Sequence, residues 1–107
     1  MFSQKQRMNS KTVAQTLKTG KRFFTSFFRG TFVVQDDFMV SVIIPKKIIK
    51  KRIHRNREKR RILHSLKIVL NGTSPKCALI LSLQKNTHAL SFEELNKELE
   101  LVCKKIG

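Results

Sequence analysis

Acids are scarce in this sequence: seven Asp and Glu stand against 23 Lys and Arg, a formal net charge of +16 over 107 residues. A nuclease that works through protein-bound metal needs carboxylates converging on one or two divalent ions, which hold the attacking water in line with the phosphate. Four of the seven acids, Glu93, Glu94, Glu98 and Glu100, fall on one C-terminal segment with no second cluster to meet them. Asp36 and Asp37 are adjacent in a turn, where such side chains bond to local backbone. Cysteine is limited to Cys77 and Cys103, neither with a Cys, His or acid at metal-ligand spacing. That argues against a zinc site or a disulfide framework and for two reduced, packed thiols. No apolar run approaches the roughly 20 residues of a membrane span, and the basic start MFSQKQRMNSK is not followed by an apolar stretch of signal-peptide length. The expectation is a soluble cytoplasmic protein.

The usual enzyme motifs are missing as well: there is no Gly-rich phosphate loop and no Ser/His/Asp or Cys/His set. His54 and His64 stand ten residues apart, about 15 Å along a helix at 1.5 Å per residue, too far to act as acid and base on one phosphate. His88 has no expected partner. A self-sufficient enzyme is therefore disfavoured, and the basic residues must carry the function.

What is present is charge on a foldable frame. Self-repulsion of this size is best tolerated when the working partner is a polyanion: nucleic acid, an anionic membrane or an acidic protein. A hydrophobic content of 40% argues against a disordered basic tail. The length suits one domain, here residues 10–107, preceded by a flexible basic arm at residues 1–9.

Along the chain, Ser10 can cap a short helix, KTVAQTLKT, with Gly20 as its left-handed stop. Residues 21–44 are β-branched and aromatic, with Phe28, Phe32 and Val34 alternating against Phe27, Arg29 and Thr31. Asp36-Asp37 interrupts this run, predicting two antiparallel strands around a tight turn, and Pro45 ends the pairing. From Ile53 a helix is expected, with Ile62, Leu63, Leu66, Val69 and Leu70 on one stripe and Asn71-Gly72 ending it. CALILSL, residues 77–83, reads as a buried central strand. SFEELNKELELVCKKIG reads as a helix with a Ser91/Glu94 capping box and a stripe at Phe92, Leu95, Leu99, Val102 and Ile106. The fold class is α+β, helices packed on a small sheet.

The stretch KKIIKKRIHRNREKRR, residues 46–61, places ten Lys and Arg in sixteen positions with one acid, Glu58. Like charges at i,i+4 destabilise an isolated helix unless something neutralises them, which favours a binding surface over a merely solvated face. On a helical wheel Arg57, Arg60, Arg61, His64 and Lys67 form an outward ridge opposite Ile62, Leu66 and Val69. Arg55 and Lys59 fall on the apolar side, bordering a groove, and Asn56 lies between the two sets, where an amide can address sugar or base edges. A membrane-lying helix is disfavoured, because the apolar stripe starts late and is needed for the core.

These residues resemble the protein subunit of bacterial ribonuclease P over roughly residues 10–106. The most specific part is RNREKR, residues 55–60, similar to that family's Arg-Asn-Arg motif and preceded at a familiar distance by Lys46-Lys47. LKTGKRF and LSFEELNKELE add support. The resemblance implies the order αβββαβα in a ribosomal protein S5 domain 2-like sandwich with a left-handed β-α-β crossover. It implies one protein bound to a large catalytic RNA, cleaving precursor tRNA to release the 5′ leader with Mg2+ held mainly by the RNA. By position Lys46, Lys47, Arg55, Asn56, Arg57, Lys59 and Arg60 inherit RNA contact, and Arg61 joins them from the ridge. A leader cleft would use Val13 and Leu17 on the first helix, where the family usually carries aromatics, with Phe24 or Phe27 and Arg29 on the sheet. Glu58 stands where the family commonly has an apolar residue, and is expected to pair with Arg61 or Arg55. The alternative is a structural RNA-binding protein of the ribosome, without a role in cleavage.

Overall fold

The structure, a computed structural model, describes residues 10–73 and 75–106; the expected arm at residues 1–9 lies outside them. The elements are α1 (Ser10–Thr19), β1 (Lys21–Phe24), β2 (Phe28–Val34), β3 (Met39–Ile43), α2 (Arg52–Leu70), β4 (Cys77–Leu83) and α3 (Phe92–Ile106). This is the expected order αβββαβα. No helix among the described residues is long and apolar enough to cross a membrane.

The four strands form one sheet in the order β1-β2-β4-β3. CALILSL is central, as its composition requires: β4 pairs antiparallel with β2 and parallel with β3, and six of its seven residues are buried. The expected antiparallel pair around Asp36-Asp37 is therefore not formed. A strand apolar on both faces is best buried in the middle of the sheet, so β4 takes the slot between β2 and β3. Residues 35–38 instead make a wide corner, where the Gln35 N–H donates to the Lys76 carbonyl at 3.0 Å. The local hairpin is β1–β2, closed by the Thr25 N–H on the Phe28 carbonyl (2.8 Å) and the Phe28 N–H on Thr25 Oγ1 (3.1 Å).

The two sheet faces divide as the alternation of β2 predicts. One carries Phe23, Phe28, Val40, Val42, Leu79, Leu81 and Leu83, which join Ile62, Leu66 and Leu70 of α2 and Leu95, Leu99 and Val102 of α3 in the core. Cross-strand partners share a face, so Arg22, Phe24, Arg29, Thr31, Ile80 and Ser82 lie on the other. There α1 packs on β2 and β4. Gly20 is not a left-handed stop: a Cβ on it would lie 2.6 Å from both the Thr16 carbonyl oxygen and Thr31 Cγ2, so glycine is required for close approach of α1 to β2. The left-handed cap belongs to α2, at Asn71 (φ 49°), followed by Gly72 (φ 82°).

The α3 capping box forms as expected: the Glu94 N–H donates to Ser91 Oγ and the Ser91 N–H to Glu94 Oε1, both at 3.1 Å. These bonds from Ser91 hold the Glu94 carboxyl below its ordinary range. Phe92, expected in the apolar stripe, is instead about half exposed, with its ring 6.4 Å from that of His64. Both cysteines are free thiols; burial, assisted by Cys103, pushes Cys77 up to about 11, which suits a packed core group rather than a reactive one.

Candidate nucleic-acid interface

The long helix α2 buries Glu58, Ile62, Ser65, Leu66 and Leu70. The stripe thus begins a turn earlier than its apolar residues suggest, because the position four before Ile62 holds a carboxylate. Glu58 is 4% exposed, and its Oε2 accepts from Arg61 Nη1 at 3.2 Å and from Thr87 Oγ1. Arg61 also donates from Nη1 to the Thr87 carbonyl at 2.8 Å and from Nη2 to the Leu90 carbonyl. Arg61 is therefore not on the outward ridge. It turns inward and clamps the β4–α3 loop to α2, with Glu58 as the counter-charge that makes a partly buried guanidinium tolerable.

Arg55 is also committed locally, with Nη1 donating to the Ile49 (3.1 Å) and Lys50 (2.5 Å) carbonyls and so fixing the turn that leads into α2. It and Lys59 are half-buried, as expected of the two basic residues on the apolar side. Asn56, Arg57, Arg60, His64 and Lys67 are exposed. Asn56, Arg57 and Arg60 form the N-terminal part of a basic ridge that faces solvent, where an anionic partner can reach it. Lys46 and Lys47, also exposed, follow Pro45 past the end of β3.

On the sheet face away from the core, Phe24 is 57% exposed and sits opposite Arg29, whose Cζ lies 5.4 Å from the ring centroid. That separation is within cation–π range. Arg29 then enters a groove lined with Pro45, Lys47, Ser82 and Gln84, so the structure brings Arg29 and Lys47 to one depression. Phe27 packs against the core and is no exposed platform. On α1, Val13 is half-buried and Leu17 exposed. Of the two phenylalanines weighed for stacking, Phe24 is the available one.

One grouping escaped sequence reasoning. His54 and His88 line the same cavity of about 150 Å³, between the first turns of α2 and the β4–α3 loop, together with Ile49, Arg57, Glu58 and Asn86. The signal that could have found it is Glu58, an acid on a core stripe, which must reach a partner outside its helix.

Comparison with known proteins agrees with the architecture. A family described as ribonuclease P matches residues 2–107. The ribonuclease P protein component of Rickettsia typhi is 33% identical over 66 residues, 59% of this chain and 56% of that protein, so the match spans little more than half of that relative's length. The RNase P protein of Thermotoga maritima has the same fold, with a TM-score of 0.81 at 17% identity over 94% of this chain and 97% of that one. The RNase P protein of Staphylococcus aureus gives 0.78 at 18% identity over 94% of each.

Proposed function

The chain belongs to the ribonuclease P family, and we propose that it is the protein subunit of the ribonucleoprotein that removes the 5′ leader from precursor tRNA. The observation that carries this reading is the placement of an exposed Asn56-Arg57 and Arg60 ridge on α2, with Lys46-Lys47 one turn before that helix and a second basic groove at Lys47 and Arg29. A basic ridge on α2 and a basic groove on the sheet, meeting at Lys47, suit a small domain that lies between two RNAs.

In this reading the ridge and Lys46-Lys47 neutralise phosphates of the catalytic RNA, while Phe24, Arg29 and the groove take the single-stranded leader. Base stacking on an exposed ring is worth about 1–3 kcal/mol and tolerates any sequence, which suits a leader that differs between tRNAs. Arg29 braces Phe24 and meets the backbone. Arg55 and Arg61 act differently: they shape the turn and loop that present the ridge.

The endonucleolytic hydrolysis is assigned to the RNA subunit. The chemistry that magnesium would supply there is activation of the attacking water and stabilisation of charge on the phosphate. Among the described residues no three His, Cys, Asp or Glu are grouped to hold a metal, and we assign none of this chain's side chains to it. The chain's contribution is electrostatic: with +16 formal charge it lowers the repulsion between enzyme RNA and substrate RNA.

The test of the leader assignment is equilibrium binding of the reconstituted protein–RNA complex to precursor tRNA with a five-nucleotide leader and to mature tRNA. Tighter binding of the precursor is expected. Equal affinities would remove the leader from this protein's surface.

A further inference from the structure

The cavity between α2 and the β4–α3 loop has no place in the reading above. Its floor is Glu58, whose Oε2 is occupied by Arg61 and Thr87 while Oε1 carries no hydrogen bond among the described residues. Its rim is His54, Arg57, Asn86 and His88, all exposed. Asn86 Oδ1 accepts from the His88 N–H at 2.8 Å, which leaves the Asn86 amide nitrogen to donate. The site is therefore a carboxylate acceptor beneath a ring of donors, imidazoles and one guanidinium.

This chemistry discriminates between parts of an RNA. A phosphate at the floor would meet a carboxylate and be repelled, so a phosphate belongs at the rim. A base with an exocyclic amine offers a donor to the carboxylate, and imidazole or guanidinium planes are the surfaces on which unstacked bases lie. A carboxylate accepting from cytosine N4 is one of the standard base contacts. Size agrees: about 150 Å³ is below the roughly 300–1,000 Å³ of pockets for drug-sized ligands, and equals about five waters at ~30 Å³ each, room for a single base edge.

We propose that this cavity takes one unpaired, amine-bearing nucleobase of an RNA partner, with its amine on Glu58, its ring against His54 or His88, and its phosphate on Arg57. The proposal rests on the reading of this chain as an RNA-binding subunit and deepens it: besides neutralising backbone, α2 reads a base. The clamp that buries Glu58 is what builds the floor.

The experiment is fluorescence anisotropy of the full chain with labelled hexacytidylate, hexaadenylate, hexauridylate and an abasic ribose-phosphate hexamer, at matched salt. The wild type is expected to bind the cytidine and adenine oligomers about fivefold or more tighter than the uridine one, the range of a single matched base contact. A triple variant His54→Ala, Asn86→Ala and His88→Ala, which spares Glu58 and the core, is expected to bring the cytidine-to-uridine ratio near one, by weakening the cytidine and adenine oligomers more than the uridine and abasic ones. Stacking on Phe24 favours purines over pyrimidines, so the ratio of cytidine to uridine, two pyrimidines that differ at the amine, and its loss in the triple variant are what report the pocket. Salt-sensitive binding without preference for cytosine over uracil, or such a preference that survives the triple variant, overturns the pocket and leaves the RNA-binding reading standing. Absence of binding to all four overturns both.

Discussion

Replacing Arg61 by Ala separates a clamp from a phosphate contact. The substitution removes the hydrogen bonds to Glu58, to the Thr87 carbonyl and to the Leu90 carbonyl, and leaves a carboxylate that is 4% exposed with Thr87 as its remaining partner. Removing one partner of a buried ion pair costs about 3–5 kcal/mol. The Arg61 side chain is 29% exposed, so solvent screens part of the interaction and the lower end, about 3 kcal/mol, is appropriate. For a domain of this size that corresponds to a fall in Tm of about 12–24 °C. Urea unfolding followed by circular dichroism should show the midpoint falling with the m-value unchanged. Adding Glu58→Leu should recover only part of the loss: it removes the unpaired charge and fills the slot ahead of Ile62, but it takes the acceptor from the buried Thr87 hydroxyl, at a cost of about 1–3 kcal/mol. At a temperature where both proteins are folded, the salt dependence of RNA binding should be that of the wild type. A stability change under about 1 kcal/mol, together with a shallower slope of log K against log salt by about 0.9, would refute the clamp and return Arg61 to the phosphate-binding ridge.

Three other outcomes follow from the same geometry. Arg57→Ala with Arg60→Ala should flatten the salt dependence of binding to the catalytic RNA by about 0.9 log units per lost phosphate contact, with unfolding unchanged; an unaltered slope would take the ridge out of the interface. Phe24→Ala should weaken binding of leader-bearing precursor by about 1–3 kcal/mol and leave mature tRNA unaffected, whereas Phe27→Ala should lower Tm because that ring packs on the core. Gly30→Ala should destabilise by about 1–3 kcal/mol or more in urea unfolding, because the new Cβ would lie 1.9 Å from Phe23 Cζ.

Local features of the fold were legible in the residues and non-local ones were not. The α3 capping box, the end of α2 at Asn71-Gly72 and the burial of CALILSL each depend on a few consecutive side chains, and each is found where the pattern places it. Strand pairing depends on what arrives later in the chain: nothing near Asp36 announces that β4, some forty residues on, will separate β2 from β3. The same limit governs the site. Asn56, Arg57 and Arg60 face outward because helical periodicity alone decides it. Arg61 leaves the ridge because its partners, Thr87 and Leu90, are 26 and 29 residues away. Glu58 looked anomalous in a basic run for that reason, and its partner Thr87 is equally distant. The choice between Phe24 and Phe27 needed the hairpin register, and the meeting of His54 with His88 needed the loop that the clamp holds.

The central claim is that this chain assists an RNA enzyme rather than cleaving RNA itself or serving as a passive RNA-binding protein. The direct measurement is the rate of 5′ leader removal from precursor tRNA at low magnesium, with the RNA subunit from the same source, with and without this protein, and with the protein alone. The account predicts strong stimulation of the RNA-dependent reaction, fading as magnesium is raised, and no cleavage by the protein alone. Absence of stimulation at any magnesium concentration, or cleavage that persists when the RNA subunit is omitted, would contradict it.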